Sequence, residues 1–407
     1  MSKVIVIGAG PAGMMAALQA SKNHEVILLD GNERIGKKLF ITGKGRCNVT
    51  NAKDISEFFE FIPGNPHFLY SALYSFTNDD TMNFFEGEGI KLKVERGDRV
   101  FPESDKSSDI IRGLSNALSR TKVKIRLNSK VTNIKFKDKK ITALEINNEE
   151  ILNGDYFIIA TGGATYPLTG SRGEGQKYAN MLGHNIVPLT PALVPIEVTD
   201  AKTKELMGLS LKNVEVTIKE NNKKVVYKNF GEMLFTHFGV SGPLILSGSR
   251  FIKKGKNYDL YIDLKPALNL GELDKRIQKD FSKYLNKDFK NSLDELLPQK
   301  LIPMIIEMSG ISNTKKVNEI TKEERKNLVN LIKNLNFNIK GLRPIDEGIV
   351  TAGGVDIKEI DPSTMKSRII DNLSFAGEVM DVDAFTGGYN VQIAFSTGFI
   401  AGNNIHL

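Results

Sequence analysis

The chain of 407 residues is 41% hydrophobic and 25% charged, which is typical of a globular protein and leaves room for two or three domains. No apolar run approaches the length of a membrane span, the first residues "MSKVIVIGAG" lack a signal-peptide pattern, and the single cysteine, Cys47, excludes an internal disulfide and a cysteine-rich metal site. We therefore expect a cytoplasmic protein with no membrane segment and no metal, whose net charge of +7 is concentrated in residues 200–345, with 27 Lys+Arg against 17 Asp+Glu.

The first thirty residues predict a strand, a helix and a second strand. The run "KVIVIGAG" (3–10) is short, β-branched and apolar, as buried strands are. It leads into "PAGMMAALQASK" (11–22), a predicted helix with proline in its first turn, and then into the buried strand "HEVILLD" (24–30). These elements make one βαβ unit.

Three glycines and one acid in this unit form a dinucleotide-binding fingerprint. Gly8, Gly10 and Gly13 make G-x-G-x-x-G between strand and helix, and Asp30 ends the second strand. The first glycine makes the turn, the second admits a pyrophosphate to the helix N-terminus, and the third lets helix and strand pack closely. Asp30 lies where an acidic side chain accepts hydrogen bonds from ribose hydroxyls. We therefore predict a Rossmann-like domain.

The following segment, as far as residue 190, keeps a mixed α/β pattern. The glycine-rich stretch 36–51 is predicted to lack regular structure, and a helix is predicted over 105–120. Strands are predicted in "KVKIRL", "VTNIKF" and "ITALEI", the last two as a hairpin or meander. A buried strand in 155–163 ends in glycines, and a helix is predicted over 173–184.

The pattern changes near residue 190. Alternating strands in "NVEVTIKE", "KKVVYKN" and "YDLYIDL" predict an antiparallel sheet or barrel, and residues 270–334 are mostly amphipathic helix. The lysines of this region are either an ordinary solvated surface or an electrostatic footprint for a polyanion. The predicted architecture is α/β with two insertions: a Rossmann-like FAD-binding domain over 1–190 and 351–407, a β-barrel-like subdomain over 191–268 and 336–350, and a helical subdomain over 269–335.

Four further glycine patches indicate that the bound nucleotide is long. "ATGG" (160–163) and "FAGE" (375–378) each end an apolar strand, at the sheet edge where such folds bind ligands. "ITGKGRCN" (41–48) and "TGGYN" (386–390) add two more stretches whose backbone a ligand can approach. A cofactor that touches four or more chain segments is better explained by FAD than by NAD.

The last helix should direct its N-terminus at the pyrimidine edge of the flavin ring, because a helix dipole there stabilises the negative charge that gathers on reduction. Asn390 and Gln392 are candidate polar groups on this helix, and a core-edge amide is the other interpretation of Gln392. Glu378 is a candidate partner for a ribityl or ribose hydroxyl. No second strand–G-x-G-x-x-G–helix unit appears, so either NAD(P)H visits the flavin transiently or the electrons come from elsewhere.

From residue 4 to about residue 402 the chain resembles the BaiN-type family of FAD-binding flavoproteins, in the segments "VIGAGPAGMMAA", "KKLFITGKGRCNVTN", "RVFPESDKSSDI", "ATGGATYPLTGSRGEGQKYANMLGH", "FTHFGVSGPLIL", "GIVTAGGVDIKEIDPSTMKS" and "FAGEVMDVDAFTGGYNVQIAFSTG". The resemblance implies FAD bound by a two-dinucleotide-fold-like domain with β-barrel and helical insertions. It leaves the substrate open, because family members are described as reducing C=C bonds of bile-acid intermediates, oxidising aminoacetone or forming dihydrouridine in ribosomal RNA.

Carried over by position, the resemblance implies that FAD is lined by Gly8, Gly10, Gly13, Asp30, Gly43, Asn48, Gly162, Gly377, Glu378, Gly387, Gly388, Asn390 and Gln392. The predicted cofactor-binding set is completed by Ala12, Lys38, Arg46, Val131 and Tyr389. Lys44 stands where the family pattern often has a third glycine, which would place a cation near the phosphates or the substrate.

Two residues are candidate proton donors, because saturation of an activated double bond needs an acid as well as a hydride. Cys47 lies in the glycine loop beside Arg46, and a small buried thiol packed near the cofactor is the alternative interpretation. His237 in "FTHFGVSGP" belongs to the inserted block, and a structural histidine is its alternative interpretation. Tyr166, Arg172 and Tyr389 are weaker candidates.

The sequence supports four hypotheses about function. The first is an FAD-dependent reductase that uses NAD(P)H to reduce an activated C=C bond, and the second is a ribosomal RNA dihydrouridine synthase. The third is an amine oxidase of the aminoacetone type, and the fourth a non-catalytic flavin module for redox sensing or RNA binding. The expected partner is a small-molecule substrate or ribosomal RNA, with no membrane and no obligate protein partner.

Overall fold

The computed structural model describes residues 1–405. The chain divides into two compact units: unit 1 comprises Met1–Ala192 and the residues from Ile345 onward, and unit 2 comprises Leu193–Pro344. Among the helices of the described residues, none has the length and apolarity needed to cross a membrane.

The first part of unit 1 contains both helices and strands, in the order β1 Lys3–Ile7, α1 Pro11–Ala20, β2 Glu25–Leu29, α2 Lys37–Ile41, β3 Thr50–Asn51, α3 Tyr70–Ser75, α4 Asn78–Gly87, β4 Leu92–Glu95, β5 Arg99–Pro102, α5 Ser107–Ser119, β6 Lys124–Arg126, β7 Val131–Lys137, β8 Lys140–Ile146, β9 Glu150–Asn153, β10 Tyr156–Ile159, α6 Glu174–Met181 and β11 Ile186–Ala192. Unit 2 contains β12 Ile196–Val198, β13 Ser210–Glu220, β14 Lys224–Thr236, β15 Gly239–Ser241, α7 Pro243–Ser249, β16 Tyr258–Asp263, α8 Leu270–Ser282, α9 Ile302–Ser309, α10 Lys322–Lys333 and β17 Leu335–Leu342. Unit 1 then resumes with β18 Val350–Val355, β19 Leu373–Phe375 and α11 Tyr389–Asn403.

A parallel sheet of five strands forms the centre of unit 1, in the order β19-β10-β1-β2-β6. In register, Val6 of β1 lies beside Leu28 of β2 and Ile158 of β10. The last four residues of β1, β2 and β10 are buried, as expected for parallel strands covered on both faces. Because the strands are parallel, the loops after β1, β2, β10 and β19 meet at one edge of the sheet. The predicted Rossmann-like fold is confirmed.

Unit 2 is built around a closed barrel with the strand order β12-β15-β14-β13-β16-β17. All its strand pairs are antiparallel, and β12 closes the barrel by pairing with β17, where Ile196 lies opposite Leu342. Buried apolar residues of the barrel and of α8, α9 and α10 form one hydrophobic cluster. The prediction of an antiparallel sheet or barrel, with helices after it, is confirmed.

One prediction of secondary structure is wrong. The stretch 36–51 is predicted from its glycines to lack regular structure, yet residues Lys37–Ile41 form α2. Gly36, with φ of +65°, turns the chain into this helix, and the Phe40 N–H bonds the Gly36 carbonyl. Regular structure is interrupted only after α2, where several residues in succession have a left-handed backbone conformation. The three-way division of the chain into subdomains stays a prediction.

Candidate functional site

The three fingerprint glycines lie at the turn between β1 and α1 and in the first turn of α1. A different feature of the structure explains the absence of a side chain at each position. Gly8 has φ of +106°, and a Cβ there would collide with the carbonyl oxygen of Ala160. A Cβ on Gly13 would collide with the carbonyl oxygen of Gly8. A Cβ on Gly10 would meet no protein atom within 4 Å. The space beside Gly10, at the N-terminus of α1, is therefore open to a ligand.

Asp30 is held against this turn at the carboxyl end of β2. Its Oδ2 accepts from the Ala9 N–H at 2.7 Å, and its Oδ1 accepts from the Asn32 N–H and Nδ2, both at 2.8 Å. A carboxylate oxygen can accept two hydrogen bonds, so Oδ2 retains a site for a ribose hydroxyl. The structure thus brings Asp30 and the fingerprint glycines together.

Helices α1 and α11 run side by side in the same direction. A Cβ on Gly398 would collide with the carbonyl oxygen of Ala12, and one on Gly402 with that of Ala16. Since α1 begins one residue before Ala12 and α11 nine residues before Gly398, the N-terminus of α11 lies about 12 Å beyond that of α1 at 1.5 Å per residue. The positive N-terminal ends of α1 and α11 therefore point to the same side of unit 1 and are offset from each other along the helix axes.

The two glycines before α11 are required by contacts within the protein. Gly387 and Gly388 have φ of +139° and +100°. A Cβ on Gly388 would collide with the Thr50 carbonyl of β3, and one on Gly387 would lie 2.6 Å from the Tyr389 ring. In the structure, strand β3 and an aromatic ring approach these two glycines, and their contact with FAD stays a prediction.

The polar side chains of α11 bond the protein itself. Asn390 accepts from the Ala384 N–H at 2.9 Å and donates to the Ala384 carbonyl at 2.7 Å. Gln392 is fully buried, where Thr50 donates to its Oε1 at 2.7 Å and its Nε2 donates to the Phe76 carbonyl at 3.1 Å. Asn390 orders the loop before the helix, and Gln392 ties α11 to β3. Their contact with FAD stays a prediction.

The Tyr389 ring is also engaged by the protein. It stacks on Phe61 with ring centroids 4.7 Å apart and meets the edge of Phe58 at 4.9 Å. Burial raises the pKa of its hydroxyl. Tyr389 thus packs in the core beside the start of α11.

The loop after α2 takes an unusual path. Gly43, Lys44, Gly45 and Cys47 have φ of +57°, +58°, +84° and +59°. The Cys47 N–H closes the loop by bonding the Thr42 carbonyl at 3.0 Å. Left-handed conformations cost free energy for non-glycine residues, so the surrounding contacts must hold this loop in place.

Arg46 supplies such contacts. Its guanidinium pairs with Glu95, donates from Nε to Asp105 at 2.8 Å, and lies 4.2 Å from the centre of the Phe101 ring. Both carboxylates raise the pKa of Arg46, chiefly through these hydrogen bonds. Arg46 therefore anchors the loop to β4 and β5, and its assignment to FAD stays a prediction.

Cys47 and Asn48 follow in this loop. Cys47 packs in the hydrophobic core, whereas Asn48 has a polar atom that is available to a ligand. Cys47 is fully buried in the hydrophobic core of unit 1, and desolvation raises the pKa of its thiol to about 12. The Asn48 Oδ1 atom is buried and has no hydrogen-bond partner among the described residues. A buried polar atom without a partner is costly, so Asn48 is a suitable acceptor for a cofactor N–H or hydroxyl.

A second group of polar residues surrounds the end of β10. Lys38 Nζ lies 2.8 Å from Glu378 Oε2 and 2.7 Å from Thr165 Oγ1, while Glu378 Oε1 accepts from the Thr351 N–H at 2.8 Å. The predicted residues Lys38 and Glu378 are thus an ion pair. Thr165 and Thr351 were not predicted, and no sequence signal indicated them.

Three other predicted residues lie around the same edge. Gly377 has φ of +75°, and its Cβ would approach the Ala12 side chain to 2.9 Å, so "FAGE" adjoins the fingerprint helix. Gly162, with φ of +76°, accepts from Gln176 Nε2 at 3.1 Å. Val131 begins β7, and its carbonyl accepts from the Tyr178 hydroxyl at 2.5 Å.

Two more buried acceptors at this edge have no partner in the described chain: Thr161 Oγ1 and Gln176 Oε1. Thr161 is the second residue after β10, within "ATGG", so its position after a buried strand could have indicated it. Together with Asn48 and the open space at Gly10, these atoms fit a ligand with many hydroxyls and N–H groups, as FAD is. No cluster of three or more His, Cys, Asp or Glu side chains in residues 1–405 could hold a metal ion.

The remaining candidates for proton transfer are dispersed. His237 lies in unit 2, exposed, between β14 and β15, with its ring 4.8 Å from that of Phe238. Tyr166 has φ of +55°, and Arg172 Nε donates to the Pro167 carbonyl at 3.1 Å. In unit 1 the structure brings together the cofactor candidates, and within residues 1–405 none of the proton-donor candidates has a partner typical of acid catalysis.

Residues 2–404 match the family described as "HI0933-like protein Rossmann domain". The chain is 31% identical over 422 residues to a 3-dehydro-bile acid delta(4,6)-reductase of Clostridium scindens, which covers 99% of this chain and 98% of that protein. It is 33% identical over 404 residues to a ribosomal RNA dihydrouridine synthase of Haemophilus influenzae, covering 98% and 97%. A solved structure of 3-ketosteroid delta1-dehydrogenase from Sterolibacterium denitrificans shares the fold, with a TM-score of 0.52, 12% identity and 99% of each chain covered.

Proposed function

The chain belongs to the HI0933-like Rossmann family of FAD-binding oxidoreductases, and on that premise we propose that it is a reductase that takes electrons from NAD(P)H and saturates an activated C=C bond. The observation that carries the proposal is the parallel arrangement of α1 and α11, whose N-termini face the same side with an offset of about 12 Å along the helix axes. That spacing suits a cofactor whose pyrophosphate and redox ring need separate positive ends. When bound, FAD supplies the hydride-transfer chemistry.

Different residues of unit 1 would bind different parts of such a cofactor. The turn at Gly10 and the N-terminus of α1 would bind the pyrophosphate, and Asp30 would accept from a ribose hydroxyl. The N-terminus of α11 would favour negative charge on the redox ring, and the unpartnered Asn48 Oδ1 would accept an N–H of that ring. Lys38, paired with Glu378 at 2.8 Å, would orient the Glu378 carboxylate.

The reducing substrate is tested by mixing the purified holoenzyme with NADH or NADPH under anaerobic conditions. We expect the visible flavin absorbance to bleach with one of them. Bleaching by neither would reject the nicotinamide as donor. Rapid recovery of colour on adding oxygen, with stoichiometric peroxide and an amine as the reductant, would favour the amine oxidase hypothesis instead.

The proton donor is tested separately, because the two half-reactions can be measured apart. Cys47→Ala and His237→Gln are the variants, and a true donor variant should keep the rate of bleaching by NAD(P)H but lose most of the rate of substrate-dependent reoxidation. The high pKa of the Cys47 thiol makes it a weak acid at neutral pH. If both variants reoxidise normally, another group or water supplies the proton.

A second candidate function is reduction of the uridine C=C bond in ribosomal RNA. The basic composition of residues 200–345 favours it, because lysine and arginine neutralise phosphates, and two relatives bear the name of that activity. For this candidate we expect a cytoplasmic location, because ribosomal RNA is found there. The test is mass spectrometry of ribosomal RNA from a deletion strain, and unchanged dihydrouridine content would reject this candidate.

A further inference from the structure

One end of the unit 2 barrel carries a group of basic residues that we call the lysine tip, composed of Lys219, Lys223, Lys224, Lys253, Lys254 and Lys256. The first three surround the turn between β13 and β14, and the others lie in the loop before β16. The Asn221 N–H bonds the Asn257 carbonyl at 3.0 Å, and Glu220 pairs with Tyr258 across the two strands. These bonds place both segments at the same end of the barrel.

The acidic side chains of these segments offset little of this charge. Glu220 accepts a hydrogen bond from Lys256 Nζ at 2.6 Å, which, with the nearby charges of Lys224 and Lys253, lowers the pKa of the carboxylate. Asp259, the other acid, is only 9% exposed. A single accessible carboxylate therefore faces several ammonium groups.

Most of the lysines remain available to a ligand. In residues 1–405 no carboxylate forms an ion pair with Lys223, Lys224, Lys253 or Lys254, and all four are exposed. Lys219 lies 4.3 Å from the centre of the Tyr261 ring, and the Tyr261 hydroxyl donates to Asn222 at 2.7 Å. The tip is thus a positively charged surface with ordered aromatic and amide groups between the lysines.

We propose that the lysine tip binds the phosphate backbone of RNA. Spaced ammonium groups release counterions from a polyphosphate, and exposed amides such as Asn221 and Asn257 can donate to phosphate oxygens. An anionic membrane would also attract the lysines, but peripheral membrane binding requires apolar side chains that insert. Among residues 1–405, Val225 is the one exposed large apolar residue beside the turn. The inference rests on the ribosomal RNA candidate function.

The test uses full-length holoenzyme and a fluorescently labelled single-stranded ribosomal RNA fragment, with affinity measured over a series of salt concentrations. The tip variant carries Lys→Gln at positions 223, 224, 253 and 254. A matched control carries Lys→Gln at four exposed lysines of α8 and α10, namely Lys275, Lys279, Lys322 and Lys326. We expect the tip variant alone to bind more weakly, with a salt slope smaller by about 0.7 for each phosphate that the protein no longer neutralises.

The inference is overturned if the tip variant and the control lose equal affinity, or if neither loses any. It is also overturned if the tip variant keeps its affinity for RNA and loses binding to vesicles containing phosphatidylserine. Anaerobic bleaching of the flavin by NAD(P)H is recorded on the same samples, and its failure counts against the proposed reductase function alone, because RNA binding is read without turnover.

Discussion

At the scale of single residues, substitutions of Gly10 and Gly13 distinguish an effect on FAD binding from an effect on folding stability. Gly13→Ala should destabilise the protein even without FAD, by about 1–3 kcal/mol, because its Cβ meets the Gly8 carbonyl. Gly10→Ala should leave the apoprotein's melting temperature almost unchanged and weaken FAD at least about tenfold, which is about 1.4 kcal/mol. Calorimetry of the apoproteins and FAD titration check both, and unaltered FAD affinity in Gly10→Ala would contradict the assigned site.

His184 is a residue whose protonation should affect stability. Its side chain is fully buried, with Nδ1 3.2 Å from Glu359 Oε2 and Nε2 2.9 Å from Ser367 Oγ. Desolvation lowers its pKa below the ordinary value of 6.5, although Glu359 opposes this. Above pH 6.5 the His184 imidazole is neutral in both the folded and the unfolded protein. As the pH falls below 6.5, the imidazole is protonated in the unfolded protein before it is protonated in the folded protein.

Stability should therefore fall as the pH decreases below about 6.5, with a slope from this group of at most about 1.4 kcal/mol per pH unit. His184→Gln should be less stable at pH 7.5 and should depend less on pH between 7.5 and 5.5. Urea unfolding of both proteins at the two pH values measures this. Parallel pH profiles for the wild type and the variant would refute the role of His184.

At the scale of elements, the contact between α1 and α11 depends on glycine. Gly398→Ala should push the helices apart, destabilise unit 1 by about 1–3 kcal/mol and weaken FAD, because the new methyl group meets the Ala12 carbonyl. Gly87→Ala is the matched control, since Gly87 lies in α4 and its Cβ would meet nothing within 4 Å. There the change should be neutral or stabilising by up to about 1 kcal/mol. Equal effects of the two substitutions on melting temperature would show that the helices are not closely packed.

At the scale of the whole molecule, unit 2 is an insertion whose ends return to one place. Its first and last strands, β12 and β17, pair with each other, and β11 and β18 pair on the unit 1 side of the boundary. Each unit also has a hydrophobic cluster of its own. An insertion with closed ends and its own core has what independent folding requires.

We therefore expect residues 193–344, expressed alone, to unfold cooperatively. Unit 1, with a short glycine-serine linker in place of residues 193–344, should still bind FAD, because every predicted cofactor residue lies in unit 1. Circular dichroism melts and FAD titration of the two fragments provide the measurement. A linker version that folds and yet stays colourless would show that FAD needs unit 2.

Local patterns in the sequence were enough to predict the βαβ unit, the dinucleotide fingerprint, the later antiparallel strands and the kind of cofactor, because periodicity, glycine spacing and strand ends act over a few residues. They could not predict which polar groups meet. Lys38 forms a hydrogen bond with Glu378, and Gln392 forms one with Thr50, in each case with a partner more than three hundred residues away in the sequence. The Asn48 Oδ1 atom has no partner among the described residues. Such pairings follow from how the sheet brings strand ends together, so only the tertiary structure could decide that β3 packs against the glycines before α11 and that Cys47 belongs to the core.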